Sequence, residues 1–155
     1  MTTTTVRSPR VAEISAAERT DLFSRLSEWR DAMPAPDLAD ILGENVTGYA
    51  TYEDEEVVGG YFLARVPMAS ETLMMCVRPD CRRQGVGRLM CMDALFRVGK
   101  RPLVLTANDE SVGFAKAVGF KIFGKRRQPD GTVLTRLGWH APRQTEPGVS
   151  SGSAD

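Results

Sequence analysis

Val77-Arg78-Pro79-Asp80-Cys81-Arg82-Arg83-Gln84-Gly85-Val86-Gly87-Arg88 decides how this chain is read. The apolar run before it, residues 72–77, predicts a strand, and residues 88–98 after it predict a helix. A short glycine-punctuated turn between strand and helix leaves backbone N–H groups at the helix start without intrahelical acceptors. These groups point outward with a partial positive charge and make an anion cradle suited to phosphate. Gly85 and Gly87 remove the Cβ atoms that would hold a ligand off the backbone, and they permit positive φ. Arg82, Arg83 and Arg88 add full charge.

Two nucleotide readings fail on this stretch. A P-loop needs Gly-Lys-Ser/Thr at the helix start, whereas Gly87 is followed by Arg88-Leu89. A dinucleotide fingerprint needs a third glycine at position 90, which is Met90. An ordinary glycine-rich turn remains the plain reading of the stretch alone.

The chain has 155 residues, enough for one domain with a sizeable core. Hydrophobic residues at 42% and charged ones at 26% are ordinary globular values. Twenty basic and twenty acidic residues cancel, so the net charge draws the chain neither to nucleic acid nor to a membrane. No apolar run approaches the ~20 residues of a membrane helix and no secretory segment follows Met1, so a cytoplasmic location is expected. Cys76, Cys81, Cys91 and the single His140 lack metal-ligand spacing, which predicts reduced thiols and no metal.

Outside the glycine turn the chain divides into a flexible start (1–5), one domain (6–138) and a Pro/Gly/Ser-rich disordered tail (141–155). Residues 6–14 predict a first strand. Ser15-Ala16-Ala17-Glu18 is a capping-box pattern; Leu22, Leu26, Trp29 and Met33 follow at helical spacing, and Pro34 and Pro36 end the helix near Ala32. Residues 37–42 predict a second short helix closed by Gly43. Residues 47–52 and 57–65 flank Glu53-Asp54-Glu55-Glu56, a hairpin with a solvated acidic turn, and Pro67-Met68-Ala69-Ser70 reads as a loop.

The helix after the glycine turn shows Val86, Leu89, Met90 and Ala94 on one face and stops at Gly99. Residues 103–107 form an apolar run expected of a strand covered on both faces. Asn108-Asp109-Glu110-Ser111 offers cap residues for a short helix ended by Gly119. Residues 120–123 and 132–137 flank a turn over 125–131. This order predicts an α/β (α+β) fold: a mixed, mostly antiparallel sheet of six to seven strands, parallel at one crossover, with about four helices.

The spacing Arg82-x-x-Gly85-x-Gly87 resembles the pyrophosphate loop of the GNAT N-acetyltransferase superfamily, which binds acyl-coenzyme A. A second motif agrees. After its fifth strand the family typically has Asn and then Phe-Tyr-x-x-x-Gly-Phe; this chain has Asn108 and then Phe114-Ala115-Lys116-Ala117-Val118-Gly119-Phe120. The order of elements is similar from about residue 6 to residue 137.

The resemblance implies a central parallel pair splayed by a bulge. In its terms the backbone of Cys76 and Val77 would bond the pantetheine arm, and the Cys76 or Val77 N–H would serve the oxyanion. The N–H groups of Arg83, Gln84, Gly85, Val86, Gly87 and Arg88, with Arg82 of the same motif, would hold the pyrophosphate. Asn108 would contact the pantetheine arm or simply cap its helix, and Phe114 would flank the coenzyme or pack the core. Ala115 stands where the family often has the Tyr that protonates the leaving thiolate, which leaves the acid unassigned. Tyr61, Tyr49 and Tyr52 are candidates for it, with packing as the competing reading. Glu71 or Glu110 would act as base through water.

The implied activity is acyl-CoA-dependent N-acyl transfer from acetyl-CoA, a co-substrate, to an amine on a small molecule, peptide or protein. The chain would act as a monomer or homodimer. A short helix connection and the tight Pro129-Asp130-Gly131 turn favour an open acceptor face over a small pocket between Trp29, Tyr49 and the last hairpin. Rival readings are a non-catalytic acyl-CoA-binding module, a toxin of this family acetylating aminoacyl-tRNA, and a nucleotide-binding domain of different chemistry. Cys76 and Cys81 are candidate nucleophiles beside Arg78, Arg82 and Arg83, although no His lies nearby. His140 reads as a surface residue. Lys125-Arg126-Arg127, with Arg97, Lys100 and Arg101, reads as solvated charge or coenzyme phosphate contacts.

Overall fold

The computed structural model describes residues 8–30 and 36–140. The expected flexible ends (1–5 and 141–155), the start of the first strand, and Ala32, Met33 and Pro34 lie outside the described residues.

In chain order the elements are β1 (Arg10–Glu13), a 3-10 turn (Ala16–Glu18) leading into α1 (Arg19–Trp29), α2 (Leu38–Ile41), β2 (Val46–Glu53), β3 (Glu56–Val66) and β4 (Ala69–Val77). A second 3-10 turn (Pro79–Cys81) precedes α3 (Val86–Val98), followed by β5 (Leu103–Ala107), α4 (Val112–Val118), β6 (Lys121–Arg127) and β7 (Val133–Trp139). The strands form one sheet in the order β1-β2-β3-β4-β5-β7-β6, antiparallel except where β4 meets β5. Among the described residues this is the expected mixed α/β architecture, with seven strands and four α-helices. No helix among them is long and apolar enough to cross a membrane.

The sheet is covered on both faces. Helices α3 and α4 bury Val86, Met90, Ala94, Val98 and Ala115 against Tyr61, Leu63, Leu103 and Leu137. On the other face α1 and α2 bury Leu22, Leu26 and Ile41 against Phe62, Ala64 and Met74. The helical stripe and the capping box at Ser15 explain α1, where the Ser15 N–H donates to Glu18 Oε1 at 3.1 Å.

Several boundaries differ from the sequence reading. Helix α1 ends at Trp29, with Arg30 already extended, earlier than the prolines alone suggest. Ala69 and Ser70 belong to β4, because the turn is made by Pro67 and Met68, the latter left-handed at φ 63. In the acidic hairpin only Asp54 and Glu55 form the turn, with φ of 52 and 68, the pattern of a type I′ turn. Glu53 is on the strand and only 9% exposed, so it is not a solvated turn carboxylate. Strand β6 runs to Arg127, which places Lys125, Arg126 and Arg127 on an edge strand; the turn itself closes where the Gln128 N–H donates to the Thr132 carbonyl at 2.7 Å.

The α3 face holds a closed polar network. Tyr61, fully buried, donates its hydroxyl proton to Asp93 Oδ2 at 2.6 Å, and Arg97 Nε donates to the same oxygen at 2.8 Å. Arg97 lies 4.3 Å over the ring of Tyr49, which stacks on Tyr61 at 4.8 Å. Replacing Asp93 with Ala leaves a buried hydroxyl and a half-buried guanidinium without their shared acceptor. The Asp93→Ala variant is expected to be about 2–3 kcal/mol less stable, read as a lower urea midpoint at unchanged slope.

Candidate active site

Strands β4 and β5 pair at Ser70 with Leu103 and at Glu71 with Val104, and no farther among the described residues, although β4 continues to Val77 and β5 to Ala107. The cause lies on the other edge of β4. There Phe62 pairs with Met74 but Leu63 pairs with Thr72, so Leu73 is an extra residue with no partner on β3. Such a bulge bends its strand and strengthens its twist. It turns the rest of β4 away from β5 and opens a cleft of about 1100 Å³ between them.

The cleft passes through the sheet. Met75, Val77 and Ala115 belong to the face covered by α3 and α4, while Met74 and Cys76 belong to the opposite face. Glu71 pairs with Ala64 and Thr106 with Arg136, which places them on the α1 and α2 side as well. One mouth therefore opens at the start of α3, and the other between α1, α2 and the last hairpin.

The mouth at α3 is the glycine turn. Gly85 has φ 86 and caps the helix, and Arg83, two residues before it, is also left-handed at φ 64. The helical ladder begins with Leu89 N–H donating to the Gly85 carbonyl at 3.0 Å. The N–H groups of Val86, Gly87 and Arg88 precede it, the positions at a helix start that lack intrahelical acceptors. Gly87 lies in the first turn of α3 and lines the cleft, and a Cβ there would stand at ordinary contact distance, 3.4 Å from Phe114 Cζ and 3.7 Å from Val77 Cγ2. Among the described cleft residues are Arg82, Arg83, Gly85, Gly87, Arg88 and Phe114.

Other expected residues have different surroundings. Val86 is buried in the core and Gln84 is exposed, its Nε2 donating to the Asp80 carbonyl at 3.4 Å. Arg82 lines the cleft but turns its guanidinium inward: Nε donates to the Val77 carbonyl at 3.0 Å and Nη2 to the Trp29 carbonyl. It ties the end of β4 to the end of α1. Asn108 lines the cleft, and its Oδ1 accepts from the Ser111 N–H at 2.9 Å and the Ser111 hydroxyl at 2.8 Å at the turn into α4. Phe114 flanks the cleft and is 41% exposed, which sets aside a core role.

The candidate acids and nucleophiles fare less well. Tyr61 lies buried against Asp93 beneath α3 and does not line the cleft; burial and the Asp93 carboxylate both push its hydroxyl well above the ordinary tyrosine range. Tyr49 is stacked beside it and Tyr52 lies under Arg10, so no tyrosine is among the described cleft residues. Cys81 is buried and burial pushes its thiol up despite Arg78, opposite to the expected activation; the buried thiol of Cys91 is pushed up to about 12. Trp29 lines a separate cavity of about 260 Å³ with Arg25, Glu56 and Arg78, and Tyr49 is not among the described residues of that cavity or of the cleft. Arg97 is engaged on α3 and is no part of a patch with Lys125–Arg127.

Glu71 does line the cleft, and Arg136 Nη1 holds it at 2.9 Å while also reaching Thr106 Oγ1 at 3.4 Å. Three polar groups here were missed by the sequence reading. Arg136 lies 65 positions from Glu71, and no local pattern joins them. Thr72 Oγ1 is buried in the cleft wall without a hydrogen-bond partner among the described residues, and so are Nε and Nη1 of Arg30. Thr72 was visible as a hydroxyl at the head of an apolar run; Arg30 carried no signal.

Comparison with known proteins agrees with this geometry. Residues 18–140 match the family model described as the acetyltransferase (GNAT) domain. A peptidyl-lysine N-acetyltransferase, YjaB, of Salmonella typhimurium is 31% identical over 94 residues, an alignment spanning 60% of this chain and 62% of that protein. The fold is similar to the ribosomal-protein-S18-alanine N-acetyltransferase from Escherichia coli, with TM-score 0.75, 15% identity, and coverage of 92% of this chain and 100% of that one. It is also similar to a GNAT family acetyltransferase from Elizabethkingia anophelis solved with acetyl-CoA bound, with TM-score 0.67, 19% identity, and coverage of 86% and 98%. The chain belongs to the GNAT acetyltransferase family.

Proposed function

We propose that this chain is an acyl-CoA-dependent N-acyltransferase that moves an acetyl group from acetyl-CoA to a primary amine by direct attack in a ternary complex. The observation that carries the reading is the cleft through the sheet at the β4–β5 splay, with an anion cradle at one mouth and an open face at the other. At about 1100 Å³ it exceeds the roughly 300–1,000 Å³ of ordinary small-molecule pockets, as two substrates meeting inside would require.

The residues divide the work by position. The N–H groups at the start of α3, with Arg83 and Arg88, hold the pyrophosphate. The stretch of β4 from Leu73 to Val77 that β5 does not pair bonds the pantetheine arm, and its Val77 N–H, on the edge away from β3, supports the developing oxyanion. Phe114 flanks the coenzyme. The amine nitrogen attacks the thioester carbonyl, the carbon–sulfur bond breaks, and Glu71 takes the amine proton through water. No tyrosine lines the cleft, so the sulfur departs as thiolate, steadied by the Thr72 hydroxyl. The open face and the peptidyl-lysine activity of the YjaB relative support an exposed lysine amine as acceptor.

A second reading, a non-catalytic acyl-CoA-binding module, is favoured by one observation: Ala115 and the buried Tyr61 leave the cleft without a phenolic acid. Release of CoA thiol across amine, peptide and aminoacyl-tRNA acceptors separates the two. Turnover supports the enzyme; acetyl-CoA binding without turnover supports the module.

Two substitutions test the assignment of roles. Gly85→Glu, which sets a carboxylate in the cradle, is expected to weaken acetyl-CoA binding by about 100-fold or more in calorimetry. Gly85→Asn, which tolerates a left-handed backbone, is expected to keep most of it. Equal loss in both would reassign the effect to backbone strain. Glu71→Gln is expected to lower kcat by about 100-fold with acetyl-CoA affinity unchanged, whereas an unchanged kcat would remove Glu71 as the base.

A further inference from the structure

The acceptor mouth of the cleft contains an unsatisfied cation. Arg30 follows α1 directly, and Arg82 holds the preceding Trp29 carbonyl beside the end of β4. Arg30 lines the cleft, and its Nε and Nη1 are buried without a partner among the described residues. Two buried guanidinium nitrogens in this state cost the folded protein stability unless something arrives to pair with them. The Arg19 Nε and Arg101 Nη1 atoms are similarly orphaned but do not line the cleft, and both side chains bond backbone carbonyls through other atoms.

Among the described residues, the charges on this side do not cancel Arg30. Arg126 on β6 pairs with Leu134 on β7, and both line the cleft; Leu134 shares its face with Arg136, two residues along the strand. The lining carboxylate on this side is Glu71, which Arg136 already neutralises at 2.9 Å. The second lining carboxylate, Glu110, lies in the turn between β5 and α4. The acceptor mouth thus presents Arg30 and Arg126 against an internally paired Glu71.

We infer that the acceptor amine carries a carboxylate near it, read by Arg30 with support from Arg126. This rests on the acyltransferase reading and narrows its substrate class. The carboxylate has two possible sources, the main-chain carboxylate of a free amino acid or the acidic side chains flanking a peptide lysine. Arg30 forms a charge-assisted, geometrically specific bond to either.

The test uses the full chain, acetyl-CoA and two matched acceptor pairs. Nα-acetyl-lysine is compared with Nα-acetyl-lysinamide, and a capped Glu-Lys-Glu peptide with capped Gln-Lys-Gln. In each pair the same ε-amine reacts, and only the carboxylate changes. In at least one pair the carboxylate member is expected to have a kcat/KM about tenfold or more higher. The pair that shows it identifies the source. Arg30→Gln is expected to erase that preference by raising KM for the carboxylate member. The kcat, the reaction of the neutral member and the acetyl-CoA affinity should stay in place, and the thermal midpoint should hold or rise as an unpaired charge is removed. Arg30→Lys should recover part of it.

Equal rates within both pairs, or a preference that survives Arg30→Gln, would overturn the inference while the acyltransferase reading stands. CoA release from none of the four, with acetyl-CoA still bound, would overturn both this acceptor class and catalysis on lysine amines. Absence of acetyl-CoA binding to the unaltered chain would fell the donor reading first and this one with it.

Discussion

Two neighbouring parallel strands that cease to pair after two residues impose a constraint on everything around them. Beyond Glu71 and Val104, the facing edges of β4 and β5 present peptide groups that neither strand satisfies for the other. Buried peptide groups are costly without partners. Part of the demand is met internally, by the Arg82 guanidinium on the Val77 carbonyl. The remainder faces a cleft wide enough for another chain of amide groups, and a pantetheine arm is one. The bulge at Leu73 is the origin of this opening, so one inserted residue in β4 does more for the site than any catalytic side chain.

Much of the scaffold was legible because its signals are local. The capping box at Ser15, the apolar run over β5, the glycines at 85, 99 and 119, and the acidic hairpin each specify one short piece of backbone. Boundary errors arose where tertiary pairing extended a strand beyond its own signal. Ala69 and Ser70 join β4 because Val66 and Arg65 pair with them, and Lys125 to Arg127 join β6 because residues 133–135 do. The glycine turn was legible for the same reason as the scaffold: it is a contiguous stretch that specifies its own backbone.

The acceptor end was not legible because it is assembled from distant pieces. Arg30, Glu71, Thr106, Arg126 and Arg136 come from a helix end and four strands, and face and register bring them together. Tyr61 shows the converse. Its residue type suited a proton donor, but alternation along β3 put it on the α3 face, where a hydrogen bond to Asp93 makes it a structural post. Side-chain direction in a strand flips with each residue, so candidates read from identity alone are as often aimed away from a cleft as into it.

Arg82 gives the phosphate motif a second meaning. As the first residue of the Arg-x-x-Gly-x-Gly pattern it reads as a ligand, yet its guanidinium spans the carbonyls of Val77 and Trp29, like a tie rod between the donor wall and the acceptor wall. A substitution at position 82 would therefore act through architecture, by loosening the tie between β4 and α1. The two walls of the cleft are also mechanically joined: whatever shifts the end of β4 shifts Arg30, the first residue after α1, along with it.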